Sequence, residues 1–252
     1  WAVVMGNGYN SANQRPVLLV QYLDGSGAEE MRLKTIPATA DAAGSGKAND
    51  NGLSAPALVD LNGDGRTDVV YAGDNLGNLW KFDLTSEDDS KWDVAGWGAS
   101  LADKAPLFTA QGPVALGGTR NQIQPITAPP IVRANDRQKT LSNGDTVAVG
   151  GLMVAFGTGR NVTENDRKTD VTQNVQTLYS VLDNTRYRVV GAKKDRLAVH
   201  EGGGTCPGNN CIPVPTALGT GVTAAKLAKQ SIKIVSGKYS TVEATEELKT
   251  ST

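Results

Sequence analysis

The sequence predicts an all-β chain made of small antiparallel sheets repeated along its length. Three observations carry that prediction. Glycine is abundant, at 29 of 252 residues, while aromatic residues make up only 5%, a balance of many turns and few bulky side chains. Short apolar runs rich in β-branched residues are each bounded by glycine or proline. One plan, a glycine-ended strand followed by a turn and an outgoing strand, recurs in the same order. Radial repetition of such sheets, each burying its faces against its neighbours, is a β-propeller, and long insertions between strands make this one modified. Three to four units fall at or below the usual minimum of about four, so the ring is expected to be incomplete in this chain.

The plan is clearest in a central unit, residues 54–84. Ser54-Ala55-Pro56-Ala57-Leu58-Val59 enters, Val69-Val70-Tyr71-Ala72-Gly73 returns, and Leu79-Trp80-Lys81-Phe82-Asp83-Leu84 runs out. Alternation in the last run sets Leu79, Lys81 and Asp83 on one face and Trp80, Phe82 and Leu84 on the other. A second unit, residues 127–183, repeats it: Thr127-Ala128-Pro129-Pro130-Ile131-Val132, then Leu152-Met153-Val154-Ala155-Phe156-Gly157, then Thr177-Leu178-Tyr179-Ser180-Val181-Leu182-Asp183. The opening unit, residues 1–36, reads as a copy without its entry strand, with a weaker strand over residues 31–36. Residues 184–252 continue the domain with less signal: Tyr187-Arg188-Val189-Val190 and residues 230–235 as strands, residues 223–229 of helical composition. Trp80 and Tyr179 are equivalent in two units and are expected to pack between blades. A generic β-sandwich is the alternative, and the shared Ala-Pro entry disfavours it.

The most specific chemistry lies in Asp60-Leu61-Asn62-Gly63-Asp64-Gly65-Arg66-Thr67-Asp68. Asp60, Asn62, Asp64 and Asp68 put side-chain oxygens at positions one, three, five and nine, with glycine sixth, and the Arg66 backbone carbonyl serves at position seven. That is the spacing of a calcium loop, in which hard oxygens at alternate residues wrap the cation. Position twelve holds Tyr71 where a helix-loop-helix hand needs Glu, and the flanks are strands, so a Ca2+ loop at a β-hairpin tip is expected. A set of Asx-turns without a metal is the alternative. Magnesium fits less well, because it demands a compact octahedron.

A net charge of -1 gives no basic field for nucleic acid. No apolar run approaches the roughly 18 residues of a membrane span. The chain opens on Trp1 and is expected to be part of a longer one. Cys206 and Cys211, separated by Pro207-Gly208-Asn209-Asn210, are a disulfide candidate, with free thiols as the alternative; zinc is disfavoured because His200 is the only histidine. No nucleophile accompanies His200 at a meaningful spacing, Thr158-Gly159 reads as a strand end and not a phosphate loop, and Asp166 and Asp170 read as solvated loop charges. No enzyme activity is expected.

The run from Asp60 to Asp68, followed by Val70-Tyr71-Ala72-Gly73-Asp74 and Gly77-Asn78-Leu79-Trp80-Lys81-Phe82-Asp83, resembles the C-terminal propeller domain of the PilY1/PilC family of type IV pilus proteins. Trp1-Ala2-Val3-Val4-Met5-Gly6-Asn7-Gly8-Tyr9, Gln124-Pro125-Ile126-Thr127-Ala128-Pro129-Pro130 and Phe156-Gly157-Thr158-Gly159-Arg160 support the likeness in the same order. The resemblance implies a modified propeller with one calcium loop, exported through the periplasm to the outer membrane, cell surface or pilus tip. It implies pilus extension or opposition to retraction, minor pilins or the pilus tip as partners, and adhesion to host or abiotic surfaces. Two competing readings are a propeller-type quinone-dependent dehydrogenase and a purely structural calcium-stabilised interaction module.

Overall fold

The structure is a computed structural model that describes residues 1–9, 14–25, 30–39, 51–95, 105–110, 123–140, 144–148, 150–162, 164–167, 176–183, 185, 187–190, 196–199, 230–235 and 238–244. Three sheets follow one another along the chain. The first joins β1 (Ala2–Gly6), β2 (Val17–Tyr22) and β3 (Leu33–Pro37). The second orders β4 (Ala57–Val59), β5 (Val69–Gly73) and β6 (Asn78–Asp83), with β7 (Asp93–Val94) and β8 (Phe108–Thr109) both paired to β6. The third orders β9 (Ile131–Ala134), β12 (Leu152–Gly157) and β13 (Leu178–Asp183), and the hairpin of β10 (Gln138–Thr140) and β11 (Thr146–Ala148) lies in the β9–β12 connection. Two further hairpins pair β14 (Tyr187–Val190) with β15 (Arg196–Val199), and β16 (Gln230–Val235) with β17 (Lys238–Ala244). Every strand pair is antiparallel, so the chain is all-β as predicted, and the described residues trace no closed ring.

The repeat is written in hydrogen bonds as well as in sequence. After each strand-ending glycine comes a polar residue whose side chain accepts the N–H that opens the outgoing strand: Asn7 from Val17, Asp74 from Asn78, Thr158 from Thr177. The same three pairs exchange a second bond, from the backbone N–H of Asn7, Asp74 and Thr158 to the carbonyls of Val17, Asn78 and Thr177, each at 3.0 Å. Glycine is required at the first two of these strand ends because the next sheet's entry segment presses on the backbone. A Cβ on Gly6 would lie 2.2 Å from the Ser54 oxygen, and one on Gly73 2.2 Å from Ile126 Cγ2.

Two apolar seams hold the sheets together. Leu18 and Ile36 of the first sheet meet Val70, Ala72, Trp80 and Phe82 of the second. The other face of the second sheet, through Val69, Tyr71 and Leu79, meets Val154, Phe156, Tyr179 and Val181 of the third. Phe108, Phe156 and Tyr179 form an aromatic cluster there, with ring centroids 5.0–6.0 Å apart. The predicted alternation of β6 therefore divides its side chains between two seams, and Trp80 and Tyr179 pack between sheets as expected. Asp166, read as a solvated charge, is instead gripped by Arg160 through three hydrogen bonds of 3.1–3.2 Å and caps the Val162 N–H. His200, Asp170, Cys206, Cys211 and residues 223–229 lie outside the described residues.

Candidate metal centre

β4 and β5 pair through Ala57↔Tyr71, Leu58↔Val70 and Val59↔Val69, so residues 60–68 form the hairpin tip that the sequence predicts. The loop is bent by its own side chains. Asp60 Oδ1 accepts the N–H groups of Asn62, Gly63 and Asp64 at 3.3, 2.7 and 3.3 Å, and Oδ2 accepts that of Gly65 at 2.8 Å. Asn62 Oδ1 takes the Asp64 N–H at 3.0 Å, and Asp64 Oδ1 takes the Arg66 N–H at 2.8 Å. These are successive Asx-turns. Gly63 and Gly65 sit at φ +78° and +83°, left-handed geometry that a side chain would strain. The loop's far end is anchored: the Asp68 N–H donates to Val59, the Leu84 N–H donates to the Asp68 carbonyl, and Asp68 Oδ2 accepts the Leu61 N–H at 2.6 Å.

Charge separates the two ends of the loop. The backbone N–H groups, Gly65 first, hold the exposed Asp60 carboxyl below the usual carboxylate range. Burial pushes Asp68 upward, and the like charges of Asp64 and Asp60 push it the same way, against the Leu61 N–H. Three carboxylates thus repel one another within a tip that is otherwise preorganised. Among the described residues, no three acidic, histidine or cysteine side chains close on a common centre. The donor set nevertheless fits a hard divalent cation: Asp60 Oδ1 is filled by three N–H groups, but Asp60 Oδ2 and Asp64 Oδ1 each accept one and keep further lone-pair capacity, and the backbone already wraps one side. Asp60, Asn62, Asp64 and Asp68 would hold it, with the Arg66 carbonyl.

Behind Asp68 lies a feature that sequence reasoning did not single out. Lys81 of β6 and Asp183 of β13 form an ion pair at 2.6 Å with both side chains 1% exposed. Tyr71 of β5 donates its hydroxyl to the same Asp183 oxygen, and the Lys81 ammonium lies 4.9 Å from the Tyr187 ring centroid. Burial, then the neighbouring carboxylates, push both tyrosine hydroxyls upward; those acting on Tyr187 include Asp83, Asp183 and Asp68. Asp68 is thus one of the charges acting on Tyr187, whose ring lies against the Lys81 ammonium. A second node, Asp74, is wholly buried and accepts five hydrogen bonds, from Asn51, the Leu76 and Asn78 N–H groups, the Asn78 amide and Trp80 Nε1.

This loop-bearing, glycine-pinned repeat has known counterparts. The family model described as the PilY1 beta-propeller domain matches residues 1–203. The chain belongs to the PilY1 family. It is 36% identical over 191 residues to a type IV pilus biogenesis factor PilY1 homolog of Xylella fastidiosa, covering 73% of this chain and 11% of that protein. Against the type IV pilus biogenesis factor PilY1 of Pseudomonas aeruginosa it is 35% identical over 191 residues, covering 73% and 14%. The crystal structure of the Pseudomonas aeruginosa PilY1 C-terminal domain superposes with a TM-score of 0.56 at 26% identity, over 93% of this chain and 39% of that one. The chain thus spans under a sixth of the length of these curated PilY1 relatives. No helix among the described residues is long and apolar enough to cross a membrane.

Proposed function

We propose that this chain is the calcium-binding propeller part of a non-enzymatic type IV pilus biogenesis factor, exported to the cell surface or pilus tip. There it engages minor pilins, promotes extension or opposes retraction, and carries adhesion to host or abiotic surfaces. The family match supports the pilus role, because the curated relatives are named as pilus biogenesis factors. The observation that carries the calcium reading is the hairpin tip itself: oxygen-bearing side chains at positions one, three, five and nine around a backbone already wrapped by Asp60.

A bound divalent cation would offset the mutual repulsion of Asp60, Asp64 and Asp68. The chain's own residues do the rest. Asp60 holds the tip in its wrapped form through four backbone N–H groups. Asp68 ties that tip to both neighbouring strands through Val59 and Leu84. Because those bonds join the tip to the strands on both sides, ordering of the tip and the register of the second sheet are linked. The affinity expected from four side chains without a bidentate Glu is in the micromolar to millimolar range, on the order of 10⁻⁶ to 10⁻³ M.

The test is calorimetric titration of Ca2+ into the chain and into its Asp60→Ala/Asp64→Ala variant, alongside complementation of a piliated strain lacking its own factor. The expected result is saturable binding lost in the variant, with altered surface piliation and twitching. Equal Ca2+ binding by the variant would remove the metal reading. Lost binding with every pilus phenotype intact would remove the control role.

A further inference from the structure

Asparagine is a labile residue, and its side-chain amide closes most readily on the main chain when glycine follows, because no Cβ crowds the attacking nitrogen. Three such pairs lie among the described residues: Asn7-Gly8, Asn51-Gly52 and Asn62-Gly63. Two are sealed by the fold. Asn7 Oδ1 accepts the Val17 and Leu53 N–H groups at 3.1 and 2.9 Å, and its Nδ2 donates to the Arg15 carbonyl at 2.8 Å. The Gly8 N–H is spent on the Leu53 carbonyl. Asn51 is buried, its Nδ2 donates to the buried Asp74 at 3.1 Å, and a Cβ on Gly52 would lie 1.7 Å from the Gly8 oxygen. Neither amide can turn without breaking contacts between sheets.

Asn62-Gly63, in the hairpin tip, is open. Both residues are exposed, and among the described residues nothing comes within 4 Å of a Cβ built on Gly63. Asn62 Oδ1 accepts the Asp64 N–H at 3.0 Å, which polarises the carbon that a nucleophile would attack. The amide nitrogen, the group that would leave, meets the Asp64 carboxylate at 3.3 Å. The restraint on the reaction is the Gly63 N–H, which Asp60 Oδ1 holds at 2.7 Å. These partners all belong to the tip itself, so a local opening frees the pair without unfolding a sheet.

We propose that Asn62-Gly63 is a self-modification site, a spontaneous deamidation held off by the Asp60 bond and by a cation in the loop. When the tip opens, the Gly63 nitrogen bonds to Asn62 Cγ and the Cγ–Nδ2 bond breaks. The Gly63 proton leaves with Nδ2 as ammonia, and a cyclic imide remains. Water then opens the imide. Attack at Cγ gives aspartate, while attack at the Asn62 backbone carbonyl gives isoaspartate, whose main chain runs through the former side chain and is one methylene longer. No oxidant or reductant takes part. Aspartate adds a carboxylate at the third loop position; isoaspartate displaces the later oxygens from their spacing. A loop that stands empty is thus altered permanently, and an occupied one keeps its sequence. The gating by the cation rests on the calcium reading above; the reactivity of Asn62 does not.

The chain is incubated in warm neutral buffer with a chelator, with Ca2+, and in urea, and conversion is followed by mass-spectrometric peptide mapping that separates Asn, Asp and isoAsp. In chelator Asn62 should convert while Asn7 and Asn51 keep their amides; in urea all three should convert. Ca2+ at about ten times the dissociation constant found by calorimetry leaves about a tenth of the loops free and should slow conversion about tenfold. Asp60→Ala, its fold checked by a melting curve, should convert faster than the native chain and equally with and without Ca2+. Conversion of Asn62 in chelator no faster than that of Asn7 and Asn51 overturns the proposal, as does slower conversion in folded Asp60→Ala. Calorimetric Ca2+ binding that leaves the conversion rate unchanged overturns the gating. If calorimetry shows no binding, the calcium reading falls and faster conversion of Asn62 in chelator still upholds the site.

Discussion

Replacing Lys81 by methionine removes the positive half of an ion pair whose two side chains are each 1% exposed, at 2.6 Å. Methionine fills nearly the same volume, so the packing loss is small and the cost is electrostatic. Asp183 is left buried with the Tyr71 hydroxyl and no cation, an arrangement that costs about 3–5 kcal/mol. For a chain of this length that is a drop in melting temperature of roughly 6–20 °C. The double variant Lys81→Met/Asp183→Leu removes both charges and leaves the Tyr71 hydroxyl and the half-buried Thr185 N–H without this acceptor, the buried hydroxyl alone costing about 1–3 kcal/mol. Adding Tyr71→Phe should recover the hydroxyl's share of that cost and leave only the Thr185 N–H without its acceptor. Urea denaturation followed by intrinsic tryptophan fluorescence, to which the buried Trp80 beside Lys81 contributes, reads the whole series. If Lys81→Met costs less than about 1 kcal/mol, or the double variant is no more stable than the singles, the pair does not hold the seam as argued.

Asp74→Ala should be among the most damaging single changes, because the Leu76 and Asn78 N–H groups and Trp80 Nε1 lose an acceptor within the fold. At about 1–3 kcal/mol for each unsatisfied buried group, the loss should exceed about 3 kcal/mol, measured by the same urea titration. The Asp89 carboxyl is held below its usual range first by the Tyr22 hydroxyl and then by Arg32. A depressed folded value gives stability that is present above the unfolded value of about 3.9 and lost as pH falls through the folded value, so the advantage of the native chain over Asp89→Asn should shrink on acidification below about pH 4. Thermal melts across that range check it, and a gap that widens instead would reverse the sign.

The calcium-loop spacing and the glycine-ended strands were legible in sequence because both are local. Oxygens at alternate residues and a glycine at the sixth position define a tip within nine residues, and alternation in β6 divides Trp80 and Phe82 from Leu79 and Lys81 whatever packs on either side. The ion pair was not legible. Lys81 and Asp183 are 102 residues apart and meet only because the second and third sheets stack face to face. A lysine in an alternating strand reads as a solvent position unless its opposite face is known to be covered. The short strands β7, β8, β10 and β11 were missed because two or three residues are too few to show a period. Asp166 was misread because its partner, Arg160, contributes geometry and no motif.

The bond from the polar residue after each strand-ending glycine to the start of the outgoing strand spans 10, 4 and 19 residues in the three sheets, yet the paired backbone geometry is the same. Stretching such a connection from 4 to 19 residues costs only about 1.4 kcal/mol of closure entropy. The scaffold can therefore exchange its turns almost freely while its registers stay fixed. It behaves as a rigid frame with interchangeable ornaments, so a change of surface character can be grafted on at one turn without renegotiating the rest.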